Sequence, residues 1–347
     1  MIAVLLMVTI AELLTRGLFL AYVKLSPPPN CGMRPALLAR LHFAYSGGTF
    51  SLTGPGSVAV ADPHRGHRSA PGLKGLMVTG APVSTNSLGA RAEREYAVPK
   101  PAGTRRIVAL GDSMTYGEGV TNDSTWPAQL EGLLQQTEVV NLGDRAYAHD
   151  QMYFTLKDSG AHLTPDVVVL GFFEADLMRD DLEHYCYEKP RLSQSPAGWV
   201  FENVPVPTPA ELRARYLSLP LLVGVPQLFW QLRNVPPMGS QREGDASGTE
   251  ALNRIRKLAE ASGGRFLMVD LPEHLDHPPV AESFFKSYCA RTKTECVETL
   301  ADFQQAAPGA DRKELERRFL RPNDIHYARA GYAVIASAVA RYLNQRP

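Results

Sequence analysis

Apolar runs that alternate with helix-like stretches constrain this chain more than any other feature. Residues 106–110, 139–142, 167–173 and 266–271 are short and mainly apolar, as strands buried on both faces are. Between and after them, residues 126–136, 151–160, 251–261 and 331–344 read as helices. Strand alternating with helix predicts a three-layer α/β/α architecture around a doubly wound parallel sheet, with a hydrophobic helix ahead of it. The expected organisation is an N-terminal helix at 1–25, a linker and small appendage at 26–100, and an α/β domain at 101–347. A Pro-rich insertion at about 186–240 interrupts that domain. Its apolar stretches at 216–223 and 228–232 are expected either to wall a substrate cleft as a lid or to pack on the core.

The first strand stops at a glycine and presents a serine, in Ile107-Val-Ala-Leu-Gly-Asp-Ser-Met-Thr-Tyr-Gly117. In open α/β sheets ligands bind beyond the carboxyl ends of the strands, so Ser113 is placed to meet a substrate there. Its backbone N–H then points at a developing oxyanion. Gly, Asp and Ser are also ordinary turn formers, and the tripeptide alone does not decide between catalysis and a turn. A second block near the other end, Asn323-Asp324-Ile325-His326-Tyr327, puts a histidine in a polar loop just before an amphipathic helix. With Asp324 two residues away, His326 can be held in one tautomer and take the proton of Ser113 as general base.

At these residues the chain resembles the SGNH hydrolases, a superfamily of esterases, over roughly residue 86 to the C-terminus. The resemblance rests on Gly111-Asp112-Ser113, the strand and turn from Val139 to Tyr147, the strand from Asp166 to Phe173, and the His326 block. Asn86-Ser-Leu-Gly89, Tyr96-Ala-Val-Pro-Lys-Pro101 and Asn203-Val-Pro-Val-Pro207 are similar to stretches of bacterial members. It implies a flavodoxin-like sheet and a catalytic set of Ser113, Asp324 and His326. The N–H groups of Ser113 and Ala146 then serve as oxyanion donors, and no cofactor is needed. Two positions depart from the family pattern. Ala146 stands where members have glycine, a tolerable change if its φ is negative, and Ala175 stands where members have an asparagine that donates to the oxyanion. Some members place the acid three residues before the histidine, at Asn323 here, and others two before, at Asp324; only Asp324 can balance an imidazolium charge. Asp112, Arg145, Glu174 and His274 are the candidate substrate contacts. A salt bridge from Arg145 to Asp144 or Asp176 is the competing expectation.

Residues 1–23 are close to the roughly 20 apolar residues that span a bilayer, broken by Glu12 and Arg16, which are four apart and can pair on one helix face. The alternatives are an uncleaved anchor, a signal peptide, or a helix packed on the domain, and the lack of basic residues ahead of the run disfavours the signal peptide. Lys24, Arg34 and Arg40 follow it, which by charge alone would leave the domain cytoplasmic. The resemblance favours a membrane-anchored, extracytoplasmic or periplasmic protein. Lys and Arg number 36 against 36 Asp and Glu, with no basic stripe, so no nucleic-acid partner is expected. Cys289 and Cys296 can bridge in an exported protein, and the His64-x-x-His67 pair lacks the surroundings of a metal site.

Three functions follow as expectations. The first is an esterase or O-deacylase acting on acyl esters, including those of an acylated cell-surface glycan, through a Ser113 acyl-enzyme. The second is an O-acyltransferase using the same residues. The third is a glycan-binding or scaffold protein that kept the fold and lost the chemistry.

Overall fold

The computed structural model describes residues 1–26, 36–46, 58–233, 241–275 and 283–346. The chain forms two compact units. One comprises residues 1–68, 182–190 and 201–240, the other 69–181, 191–200 and 241–347.

The larger unit is built on five parallel strands: β1 Arg105–Leu110, β2 Thr137–Asn141, β3 Val167–Phe172, β4 Arg265–Asp270 and β5 Glu295–Val297. Their order across the sheet is β5-β4-β3-β1-β2. Ile107 pairs with Val139 on one side and Val167 on the other, and Met268 pairs with Leu170. Side chains of the sheet enter two apolar clusters. Ile107, Ala109, Val169 and Val269 pack with Tyr332, Ile335 and Val339 of the last helix, while Val108, Leu110, Leu170 and Met268 pack with Met152, Leu252 and Ile255. Burial on both faces explains why these strands are continuous apolar runs rather than alternating ones. The expected doubly wound sheet is therefore present, and strand order 2-1-3-4-5 reverses between β1 and β3. Ser113 follows β1 and residues 174–181 follow β3, so both border that switch point.

The elements differ from expectation at their edges. The helix expected at 151–160 is an α-helix over His149–Thr155 that widens into a π turn over Leu156–Gly160. The helix expected at 251–261 runs over Gln241–Ala261. Residues 69–100, grouped by sequence with the appendage, belong to the α/β unit. Polar ties bring them there: the Arg91 N–H donates to the Asn141 carbonyl at 3.0 Å, and Ser69 donates to Asp144 through its N–H at 2.5 Å and its hydroxyl at 3.0 Å. Cys289 and Cys296 form a disulfide, and Cys186 is disulfide-bonded as well.

In the smaller unit the helices Ile2–Leu25, Ala36–Tyr45, Pro209–Ser218 and Leu221–Arg233 account for most of the structure. Phe43, Tyr187, Val206 and Leu212 form one apolar cluster and Leu37, Leu41 and Leu221 another, the latter packed by Phe19, Tyr45 and Tyr216. The buried Glu188 carboxylate accepts from Arg40 at 2.5 Å and contacts His184 at 3.0 Å. Of the apolar stretch at 216–223, read from sequence as a cleft wall or core packing, Tyr216, Leu219 and Leu221 pack on neighbours within their own unit, while Leu222 and Val223 are exposed. Much of the stretch expected at 228–232 lies outside the described side chains.

Candidate active site

Residues Gly111 to Gly117 form a tight turn into a four-residue helix, Ser113–Tyr116. Fully buried Asp112 caps it, one carboxylate oxygen accepting the Met114 N–H at 2.9 Å. Gly111 is required by close approach, since a Cβ there would stand 2.1 Å from Thr115 Oγ1. Asn141, the last residue of β2, donates to the Thr115 carbonyl at 2.9 Å, and buried Arg91 donates to the carbonyls of Tyr116, Gly117 and Val120. Neighbouring segments therefore hold the serine-bearing helix at both ends.

His326 comes from a closed loop. Leu320 and Tyr327 form an antiparallel bridge, the Arg321 N–H donates to the His326 carbonyl at 2.9 Å, and Ala328 donates to Phe319 at 2.8 Å. Asn323 occupies a left-handed position, φ +56°, which asparagine tolerates better than most residues. That turn brings Asp324, not Asn323, to the imidazole. His326 Nδ1 lies 2.6 Å from Asp324 Oδ1, and Nε2 lies 2.9 Å from Ser113 Oγ. Arg321 donates to the second Asp324 oxygen at 2.5 Å. Gly119, φ +73°, makes room for that guanidinium, because a Cβ there would stand 2.0 Å from the Arg321 Cζ. Burial alone would raise the Asp324 carboxyl, but its hydrogen bonds from His326 and the His326 and Arg321 charges hold it below the usual carboxylate range.

The turn after β2 carries Ala146 at φ +63°. The condition of a negative φ, under which alanine would be tolerable here, is therefore not met, and glycine suits the position. An L-residue there costs about 1–2 kcal/mol. Ala146→Gly should therefore raise stability by about 1 kcal/mol after the entropy glycine adds to the unfolded chain, a Tm increase of about 2–4 °C by calorimetry. An unchanged or lower Tm would show that the turn is not strained. Among the described residues, neither the Ser113 nor the Ala146 N–H has a protein acceptor, so both are available to an oxyanion.

Residues after β3 clamp this turn. The Asp180 carboxylate accepts the His149 N–H at 2.8 Å and meets His149 Nδ1 at 2.7 Å, while the ring stacks on Phe172. Arg179 donates to the Tyr147 carbonyl at 3.0 Å, to Asp176 at 2.5 Å and to Asp112 Oδ2 at 3.3 Å. The Ser113 hydroxyl is 3.4 Å from that same Asp112 oxygen. Burial and then the neighbouring Asp112 carboxylate push the fully buried Asp176 well above the usual carboxylate range, with Arg179 opposing them. Ala175, in the single turn Glu174–Asp176, packs against the cluster that contains Met114 and Tyr327.

The four candidate substrate contacts divide. Asp112 is completely buried and engaged by Met114, Ser113 and Arg179, so it supports the turn instead of facing a ligand. Arg145 pairs with Glu118 at 3.8 Å, and its backbone N–H donates to Asp144 at 2.8 Å. Glu174 and His274 are exposed beyond β3 and β4, and His277 lies outside the described residues. Sequence reasoning missed Arg179, Arg321 and the His149–Asp180 pair. The readable signals were slight: an arginine three residues after Asp176 and another three before Asp324. Asp270, the last residue of β4, was also missed; burial and the nearby Glu174 and Glu298 carboxylates push it up to about 7.

No family model matches the chain, and no curated protein matches it. Solved structures similar to it include a G-D-S-L family lipolytic protein from Desulfitobacterium hafniense, 16% identical over 69% of this chain and 99% of that one, TM-score 0.40. A catalytic mutant of an acetylxylan esterase from Geobacillus stearothermophilus is 12% identical over 68% and 93%, TM-score 0.42. A member of the lipolytic G-D-S-L family from Veillonella parvula is 11% identical over 70% and 100%, TM-score 0.40.

Proposed function

We propose that this chain is a membrane-anchored serine esterase or O-deacylase of the SGNH type, acting on acyl esters through an acyl-enzyme. The observation that carries the reading is the hydrogen-bonded series from Ser113 Oγ to His326 Nε2, 2.9 Å, and from His326 Nδ1 to Asp324, 2.6 Å. Ser113 Oγ attacks the acyl carbon while its proton passes to His326 Nε2. The N–H groups of Ser113 and Ala146 receive the charge that develops on the carbonyl oxygen, and Arg179 adds positive charge beside Asp112. Collapse of the intermediate breaks the ester C–O bond, and His326 returns the proton to the departing alcohol. Water, deprotonated by His326, then releases the acid and restores the Ser113 hydroxyl. Asp324, held ionised, keeps the Nδ1 proton in place and stabilises the imidazolium.

Two features support an anchored protein working in an oxidising compartment, the apolar helix Ile2–Leu25, long enough to cross a bilayer, and the disulfide Cys289–Cys296; an acylated surface glycan is the substrate class proposed for it there. The experiment is to treat the full chain in detergent with a fluorophosphonate and locate the adduct by peptide mass spectrometry. The expected result is a single adduct on Ser113. A folded protein left unlabelled would favour the non-catalytic reading.

A further inference from the structure

The smaller unit shows what becomes of the two charges that break the N-terminal apolar run. Glu12 accepts the backbone N–H groups of Leu221 and Leu222, at 2.8 and 2.9 Å, and so caps the start of the helix Leu221–Arg233. Arg16 donates to Glu12 at 2.7 Å, to the carbonyls of Leu217 and Leu219 at 2.7 and 2.9 Å, and to the Tyr45 hydroxyl at 2.9 Å. Thr9 and Thr15 return their hydroxyls to the carbonyls of Leu5 and Ala11, one helical turn back. Each of these polar side chains thus has a protein partner, as hydrocarbon requires. Unpaired, Glu12 and Arg16 would each cost about 2.5–3.5 kcal/mol near a bilayer centre.

The pins also hold the two helices at one level. Glu12 lies ten residues, about 15 Å, along the helix from Ile2, half the roughly 30 Å hydrocarbon core. Leu221 hydrogen-bonds to that residue, so the start of its helix shares that depth wherever the N-terminal helix is inserted. From there the helix continues for 13 residues, about 20 Å, to Arg233. Leu222, Val223 and Trp230 fall within about 100° of one another around it and are 38%, 61% and 66% exposed. Trp230 sits about 13 Å beyond Leu221, the distance from mid-depth toward the headgroups, where tryptophan prefers to lie.

We propose that the helix Leu221–Arg233 enters the lipid bilayer beside the N-terminal helix, so that the protein holds its membrane through a pinned pair of helices and not through one span. The occupant of the exposed Leu222, Val223 and Trp230 face is lipid acyl chain. Its helix packs against Ile2–Leu25, whose apolar side chains are exposed from Met1 to Ile10 and again at Leu13 and Leu14, and that argues for lipid over a second protein. The proposal rests on insertion of the N-terminal helix and goes beyond the esterase reading, since it needs no activity.

The test reconstitutes the full chain into phosphatidylcholine–phosphatidylglycerol vesicles that carry a doxyl quencher either near the headgroup or near the chain end. Tryptophan fluorescence is compared with that of Trp230→Phe, which isolates the Trp230 signal from those of Trp126 and Trp199. The expected result is flotation with the vesicles and loss of most of the Trp230 signal, strongest with the shallow quencher. Flotation with an unquenched Trp230 overturns the proposal and leaves the anchor standing. Failure to float overturns both. A Trp230 shielded from the quencher by dimer formation, seen by crosslinking in the same vesicles, assigns the face to a second copy and also overturns it.

Discussion

Ser113→Ala and His326→Ala should each lower p-nitrophenyl acetate turnover by about 10⁴-fold or more, and the double variant should be no slower than either single one. The size follows from the shared step. Ser113 supplies the attacking oxygen and His326 Nε2, 2.9 Å away, is the base that receives its proton, so removing either stops the same proton transfer. Asp324→Asn should cost about 10⁴-fold, because an amide leaves the geometry in place but favours the wrong imidazole tautomer and cannot balance the imidazolium charge. Stability separates chemistry from structure here. The Asp112 cap and the Asn141 and Arg91 hydrogen bonds do not involve the Ser113 hydroxyl, so Ser113→Ala should leave Tm within a degree or two of wild type. Turnover retained within tenfold in either single variant would end the serine-esterase reading. Rates and melting curves measured on the same preparations decide the matter.

The residues that carry this prediction were legible in sequence because each stands next to a strong local signal. Ser113 follows an apolar run ended by glycine, and His326 lies beside an acid just ahead of an amphipathic helix. The strands were legible for a related reason, since burial on two faces leaves a continuous apolar run. β5 was not, because Glu295-Cys296-Val297 is a three-residue edge strand with one buried side chain. Arg179 and Arg321 were illegible in another way. Nothing local marks an arginine as the partner of Asp112, 67 residues away, or as the cation behind an acid three residues on, until the fold closes around it. Ala146 shows the reverse case. The substitution was visible, but its cost depends on a left-handed φ that only the folded turn reveals.

Ala175→Asn should raise ester turnover by about 10²–10³-fold, the amount that one oxyanion donor is worth in other acyl-transfer enzymes. Of the donors expected for this site, the N–H groups of Ser113 and Ala146 remain without protein acceptors, whereas the side chain at 175 ends at Cβ. Position 175 is where the resemblance expects a donor. It lies in the turn leaving β3, across the switch point from Ser113, and packs against the cluster containing Met114, the residue after the nucleophile. Arg179 brings positive charge to the same neighbourhood, but its guanidinium is bound to Asp112, Asp176 and the Tyr147 carbonyl, which limits how far it can follow charge developing on a substrate. An asparagine amide is neutral, short and directed, so it supplies what that guanidinium cannot. The gain should appear in kcat with KM little changed, because the donor acts mainly on the transition state. An inactive wild type that becomes active on Ala175→Asn would identify a site held in working order but for one donor. A folded Ala175→Asn protein with no gain over an active wild type would mean that this chain already stabilises its oxyanion by another route, and Arg179→Met would then carry the loss of about 10²-fold or more.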